Sequence, residues 1–222
     1  MPESYQHVRD LLKRVKAELY SELPVIAFAG ARFTVATYCI GTGKDMAATR
    51  RFAKENPAVW AGLLDCLAAA TGGFLRTLVA DEADVYQLFD SWAGLLTDSE
   101  YATWADPFHR SIFQAAPGVP RILFVKECPY LDRMAVSGAD VVSLGVRHDL
   151  AEARRRFPHL VFQGNVNEAI LRTGTPEDVR AEVKRVLAAG GGRRHVLNLN
   201  HGVGKETPVA NFEAYVRASR ER

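Results

Sequence analysis

Six short apolar runs, at 23–30, 84–91, 121–125, 141–144, 160–163 and 195–203, punctuate this 222-residue chain and constrain its fold more than any other feature. Most of them hardly alternate between apolar and polar residues, as expected of strands buried on both faces of a parallel sheet. Between them the apolar spacing turns helical. Strand and helix thus alternate, which predicts parallel pairing with right-handed crossovers. Six such units suit an open doubly wound sheet or most of a (β/α)8 barrel, which normally has eight.

The helical stretches carry their own punctuation. Residues 3–20 place Val8, Leu11, Leu12, Val15 and Leu19 on one face. A glycine- and hydroxyl-rich loop is expected from Gly30 through Tyr38 to 41–43, lacking both the P-loop and the dinucleotide-binding glycine patterns. A short helix over 44–55 precedes a long one that opens at Pro57 and is marked by apolar residues as far as Leu78, with Gly72 and Gly73 weakening its middle. Thr97-Asp-Ser-Glu100 reads as a capping box whose helix is interrupted near Pro107. Further helices are expected at 130–137, 149–156 and 176–189. Thr175-Pro176 starts the last of these and 190–192, three glycines, stop it. A final helix follows Thr207-Pro208.

A composition of 48% hydrophobic and 24% charged residues supports a buried core and excludes a disordered chain. The net charge of +2 gives no basis for a nucleic-acid partner, and Arg154-Arg-Arg156 reads as the solvated end of a helix. Cys39, Cys66 and Cys128 lack the spacing of a disulfide framework or a structural zinc site. With no run of 18 apolar residues and a charged, helical start, the expectation is a cytoplasmic protein in a reducing compartment, with no membrane partner.

In parallel α/β proteins ligands bind where strands end. The first strand delivers Phe28 and, past its loop, Tyr38; the second delivers Phe89, Asp90, Ser91 and Trp92; the third, Lys126, Glu127 and Cys128. The fifth leads into Gln163-Gly-Asn165 and the sixth into Asn198, Asn200 and His201. Hydrogen-bonding groups at nearly every exit predict one cleft, with an imidazole able to titrate near neutral pH.

Several stretches carry a resemblance. Ala27-Phe-Ala-Gly-Ala31 with Thr37-Tyr38, Gln87-Leu-Phe-Asp-Ser-Trp-Ala-Gly94, Phe162-Gln-Gly-Asn165 and Asn198-Leu-Asn-His-Gly202 resemble, in order and separation, the successive signatures of the uroporphyrinogen decarboxylase family. The resemblance implies a (β/α)8 TIM barrel, usually a homodimer, using neither metal nor organic cofactor. It implies the substrate uroporphyrinogen III, whose four acetate arms become methyls to give coproporphyrinogen III in porphyrin and haem biosynthesis. By motif position Tyr38, Ser91 and His201 match the family's substrate-contacting tyrosine, serine and histidine, with Tyr38 also the catalytic candidate. Phe28 and Phe89 are expected to form apolar walls against the macrocycle.

The family's N-terminal portion, with an Arg-Gln-Ala-Gly-Arg loop and a pocket aspartate, has no counterpart here. The expectation is therefore a single domain over 1–222, N-terminally truncated, holding about six of the eight βα units. Arg32 stands where the family usually has proline, Gly145 where it has an aspartate, Asn200 for a frequent glycine and Asn167-Glu168 for Asp-Pro. Two other readings stay open. One is a zinc-dependent corrinoid methyltransferase of the same barrel type, for which the third strand ends Lys126-Glu-Cys128 without the histidine that site needs. The other is a non-catalytic tetrapyrrole-binding remnant.

Overall fold

The computed structural model describes residues 5–18, 22–41, 43, 45–80 and 83–221. Two compact units emerge. The first takes in the chain to Val125 with Tyr130–Asp140, and the second is Lys126–Pro129 with Val141–Arg222.

In the first unit, helix α1 (Gln6–Glu18) leads to strand β1 (Ile26–Gly30), helices α2 (Arg32–Cys39), α3 (Met46–Glu55) and α4 (Pro57–Ala80), and strand β2 (Val85–Phe89). A single 3-10 turn (Ala93–Leu95), helices α5 (Asp98–Trp104) and α6 (Asp106–Ala115), strand β3 (Arg121–Phe124) and helix α7 (Leu131–Ala135) complete it. β1 pairs in parallel with β2, and β2 with β3. In the second unit β4 (Val141–Ser143), β5 (Val161–Gln163) and β6 (His195–Val196) are likewise parallel neighbours. Helix α8 (Leu150–Arg156) separates the first two strands. Helices α9 (Glu168–Thr173) and α10 (Pro176–Gly190) precede β6, and α11 (Val209–Ala218) follows it. The chain thus holds six βα units, three with parallel strands in each compact unit, and this is the repeat of which a (β/α)8 barrel has eight.

Register explains the composition of the strands. Ala29, Leu88 and Leu123 are partners across β1, β2 and β3 and are buried. Tyr86 points the same way, rings with Phe113 of α6 and donates its hydroxyl to Ala116 O at 3.0 Å. The opposite face carries Phe28, Phe89 and Phe124, with ring centroids 5.9 and 5.2 Å apart.

Helix ends follow the local chemistry. Thr97 and Glu100 form the expected capping box, and Thr175 with Asp178 form another. Pro107 opens a new helix where its missing N–H costs nothing. α10 stops at Gly191, left-handed at φ 60°. Gly72 does not break α4: a Cβ there would lie 2.9 Å from Ala115 Cβ, so the glycine lets α4 and α6 approach.

Some expectations need correction. The segment from Arg32 to Cys39 is helix α2 rather than a loop, so Tyr38 sits on a helix. Its N-terminus lacks a side-chain cap of its own and is held instead by Asp90, as described below. The helix expected over 44–55 starts at Met46, capped by Asp45, while Lys44 lies outside the described residues, as do Thr42 and the ends of the helix expected over 3–20. The sixth strand is only two residues long, extended by a single bridge between Val166 and Leu199. Helix α9, six residues long and too short for a periodic pattern, adds to the helices that the sequence predicts. Among the described residues one helix, α4, is long and apolar enough to cross a membrane by length and composition.

Candidate functional site at the strand ends

The first unit's strand exits are organised by a buried carboxylate. Asp90, directly after β2, accepts from the backbone N–H of Thr34 at 3.2 Å and from its hydroxyl at 2.7 Å through Oδ1. Its Oδ2 accepts from His109 Nε2 at 2.8 Å. Thr34 Oγ1 in turn accepts from Trp92 N at 3.1 Å. Asp90 thus fastens the first turn of α2 to the end of β2, taking the place of the missing cap. It is sealed from solvent, and its role is architectural.

On this frame α2 presents Tyr38, 57% exposed, and β1 presents Phe28, 64% exposed. The phenol oxygen of Tyr38 accepts from Trp92 Nε1 at 3.0 Å. Indole can only donate, so this bond leaves the tyrosine's own O–H unused, and no acceptor for it lies among the described residues. Ser91, half-buried in the turn after β2, has no hydrogen-bond partner among the described residues. The structure therefore brings Phe28 to Phe89 and Tyr38 to Trp92.

Arg32 turns away from these side chains. It is 2% exposed, with Nε on Trp104 O at 3.0 Å and an amino group on Thr103 O at 3.2 Å. It caps the C-terminal carbonyls of α5, where positive charge is favoured, and stacks on Phe108. Desolvation pushes its guanidinium down to about 9, partly offset by Asp65 and Asp90.

The second unit gathers a different set. Glu127 is half-buried and sits at φ 46°, the left-handed region that favours glycine. Its Oε1 accepts from Val146 N at 3.1 Å and from Asn200 Nδ2 at 2.8 Å. A Cβ on Gly145 would lie only 2.6–2.8 Å from the Glu127 carboxyl atoms, so the carboxylate fills the space a side chain at 145 would need. Asn165 donates to Gly145 O at 3.1 Å and His148 O at 2.8 Å, while His148 Nε2–H reaches Cys128 O at 2.6 Å. Asn165 Oδ1 is buried without a partner among the described residues.

Asn200 also accepts the Glu168 N–H at 2.8 Å and donates its backbone N–H to Val166 O at 2.9 Å. His201 follows it directly and is exposed on the rim of a cavity with Glu168, Arg172 and the 202–206 loop. In β6, His195 donates Nε2–H to Gly164 O. Desolvation lowers its pKa below the ordinary histidine value, against the pull of that carbonyl, and Arg154 adds to the lowering. Sequence reasoning placed Glu127 and Asn200 at strand exits without giving them a role. The departures at Gly145 and Asn200 were the signal, since both touch the same carboxylate. Among the described residues no three of His, Cys, Asp and Glu gather as a metal-binding group.

Comparison with known proteins adds to this geometry. The family model described as Uroporphyrinogen decarboxylase (URO-D) matches residues 1–222. The uroporphyrinogen decarboxylase of Synechococcus sp. (strain CC9605) is 35% identical over 226 aligned residues, which take in 98% of this chain and 64% of that protein. That of Streptomyces avermitilis is 41% identical over 223 residues, 97% of this chain and 61% of the relative. The chain therefore spans less than two thirds of the length of these relatives. Among solved structures, a methyltransferase from Methanosarcina mazei superposes with a TM-score of 0.80 at 19% identity, over 96% of this chain and 63% of the other. At that identity the likeness concerns the fold.

Proposed function

The chain belongs to the uroporphyrinogen decarboxylase family, and we propose that its strand-end residues bind uroporphyrinogen III and serve the loss of carbon dioxide from its acetate arms, giving coproporphyrinogen III. The observation that carries this reading is Tyr38. Its oxygen is occupied by the Trp92 indole while its O–H has no acceptor among the described residues, and it stands exposed on the unit that also exposes Phe28. An apolar ring edge and a free hydroxyl donor suit a macrocycle that is flat and apolar at its centre and rimmed with carboxylates.

Departure of carbon dioxide from an acetate on a pyrrole leaves an electron pair that needs a sink. Protonating the electron-rich ring first supplies one, so the chemistry needs a proton donor and charge stabilisation rather than a cofactor. In this reading Tyr38 and Ser91 donate to carboxylates, His201 does so with added charge when protonated, and Phe28 and Phe89 cover the ring. Tyr38 is the catalytic candidate. In this reading the enzyme works in the cytoplasm, in keeping with cysteines that form no disulfide among the described residues, and as a homodimer.

The test is anaerobic incubation of the purified chain with uroporphyrinogen III and chromatography of the products after oxidation. Coproporphyrinogen formation that falls on Tyr38→Phe supports the reading. Binding without any product would instead select the non-catalytic tetrapyrrole-binding role. The methyltransferase likeness supports no second chemistry, because it extends to the fold alone.

A further inference from the structure

Glu127 holds a backbone conformation that side chains other than glycine rarely adopt, and such positions persist where surrounding contacts over-determine them. The contacts here are specific. One carboxylate oxygen takes both the Val146 N–H and the Asn200 side-chain amide, and the group rests in the space left open by Gly145. Asn200 is bound at three points: its amide to Glu127, its carbonyl oxygen to Glu168 N, and its backbone N–H to Val166 O. The next residue is His201. Beyond it, 202–206 is irregular and largely exposed, so Asn200 is the last firmly held point before the imidazole.

We infer that Glu127 is a positioning residue for His201, acting through Asn200, and that the absence of a side chain at Gly145 is the condition that lets it do so. The inference rests on the proposed role of His201 as a substrate contact. A carboxylate at 127 with glycine at 145 is one solution to placing an acceptor at this point, and a carboxylate at 145 with glycine at 127 is its mirror. Glu127→Gly should relax the backbone while freeing Asn200, and adding Gly145→Asp should return a carboxylate to the same space.

Two measurements on the full chain test this. In the first, histidine ring resonances of ¹⁵N-labelled protein are recorded without ligand, with His201 assigned by its loss in His201→Ala. Glu127→Gly and Asn200→Ala should each shift or broaden the His201 signal. Glu127→Gln, whose amide oxygen can accept the same two donors, should preserve it, and Glu127→Gly with Gly145→Asp should restore it. An unchanged His201 signal in both Glu127→Gly and Asn200→Ala overturns the inference.

The second measurement is binding of uroporphyrin III, the stable oxidised ring, followed by fluorescence. His201→Ala and Glu127→Gly should each weaken binding by about tenfold. Because the two act as one unit, the double variant should bind no more weakly than His201→Ala alone. Independent, multiplying losses overturn the positioning role. If His201→Ala binds as tightly as the unaltered chain, the functional reading of His201 fails, while the ring spectra still decide whether Glu127 positions it.

Discussion

Asp90 and His109 meet at 2.8 Å in a region closed to solvent, and the same carboxylate holds both donors of Thr34. A carboxylate has no proton to give, so His109 donates from Nε2 and its Nδ1 is left buried without a partner among the described residues. Removing Asp90 would strand three donors at once. Asp90→Ala should therefore destabilise the protein by about 3–5 kcal/mol, the range for breaking a buried polar pair by deleting one side. Thr34→Val, which removes one hydroxyl, should cost about 1 kcal/mol. Urea unfolding of the three proteins gives the comparison. Equal, small losses for both variants would show that Asp90 does not hold α2 in place.

Tyr38 differs from Asp90 in every respect that matters for stability. It is exposed, and the one hydrogen bond of its side chain among the described residues is to the Trp92 indole. Tyr38→Phe should change unfolding free energy by less than about 1 kcal/mol. Its affinity for uroporphyrin III should nevertheless fall by about tenfold, as expected for a lost charge-assisted bond to a carboxylate. Retained affinity with retained stability would remove the phenol from the binding surface.

The contrast between these two residues shows what was legible in the sequence. Asp90 and Tyr38 both stand in motif stretches near strand ends, and nothing in one dimension separates the architectural acid from the exposed phenol. The strands themselves were legible because burial on both faces demands continuous apolar runs, such as Arg121–Phe124. Helix α2 was not. Thr34, Val35 and Thr37 are poor helix formers, and the anchor that stabilises its first turn lies 56 residues away. The Glu127–Gly145 relationship was hidden for the same reason. It depends on one backbone angle and one missing Cβ, 18 positions apart, with no periodicity to reveal them.

A pH-dependent contribution is expected from Arg50 and Glu100. The guanidinium of Arg50 meets both carboxylate oxygens, at 2.7 and 2.8 Å, and holds the Glu100 pKa below its ordinary 4.5, helped by the Thr97 backbone and opposed by desolvation. A depressed carboxylate pKa contributes stability that is complete above the unfolded value and is lost as pH falls through the folded one. At pH 7 Glu100→Gln should therefore be less stable by about 1 kcal/mol, since the pair is only partly buried. That difference should shrink steadily below pH 4.5. Denaturant unfolding from pH 7 to pH 3 measures it, and a difference independent of pH would mean the pair adds nothing through its charge.

Gly190 and His195 supply the last prediction. A Cβ on Gly190 would fall on the imidazole of His195, whose Cγ would be 2.7 Å away. Gly190→Ala must therefore displace the ring and break its bond to Gly164 O. The expected loss is about 2–3 kcal/mol, from overpacking together with the orphaned carbonyl. In a His195→Ala background the clash is gone, and Gly190→Ala should cost almost nothing. The ring's titration gives an independent check. Burial lowers its folded pKa below 6.5, so the unfolded chain takes up a proton that the folded one refuses. Stability should accordingly fall as pH drops below 6.5, and this slope should weaken in Gly190→Ala, where the expelled imidazole titrates nearer its ordinary value. Histidine NMR titrations alongside denaturant unfolding between pH 8 and 5 measure both effects. An unaltered His195 titration in Gly190→Ala would mean that the backbone yields instead of the ring.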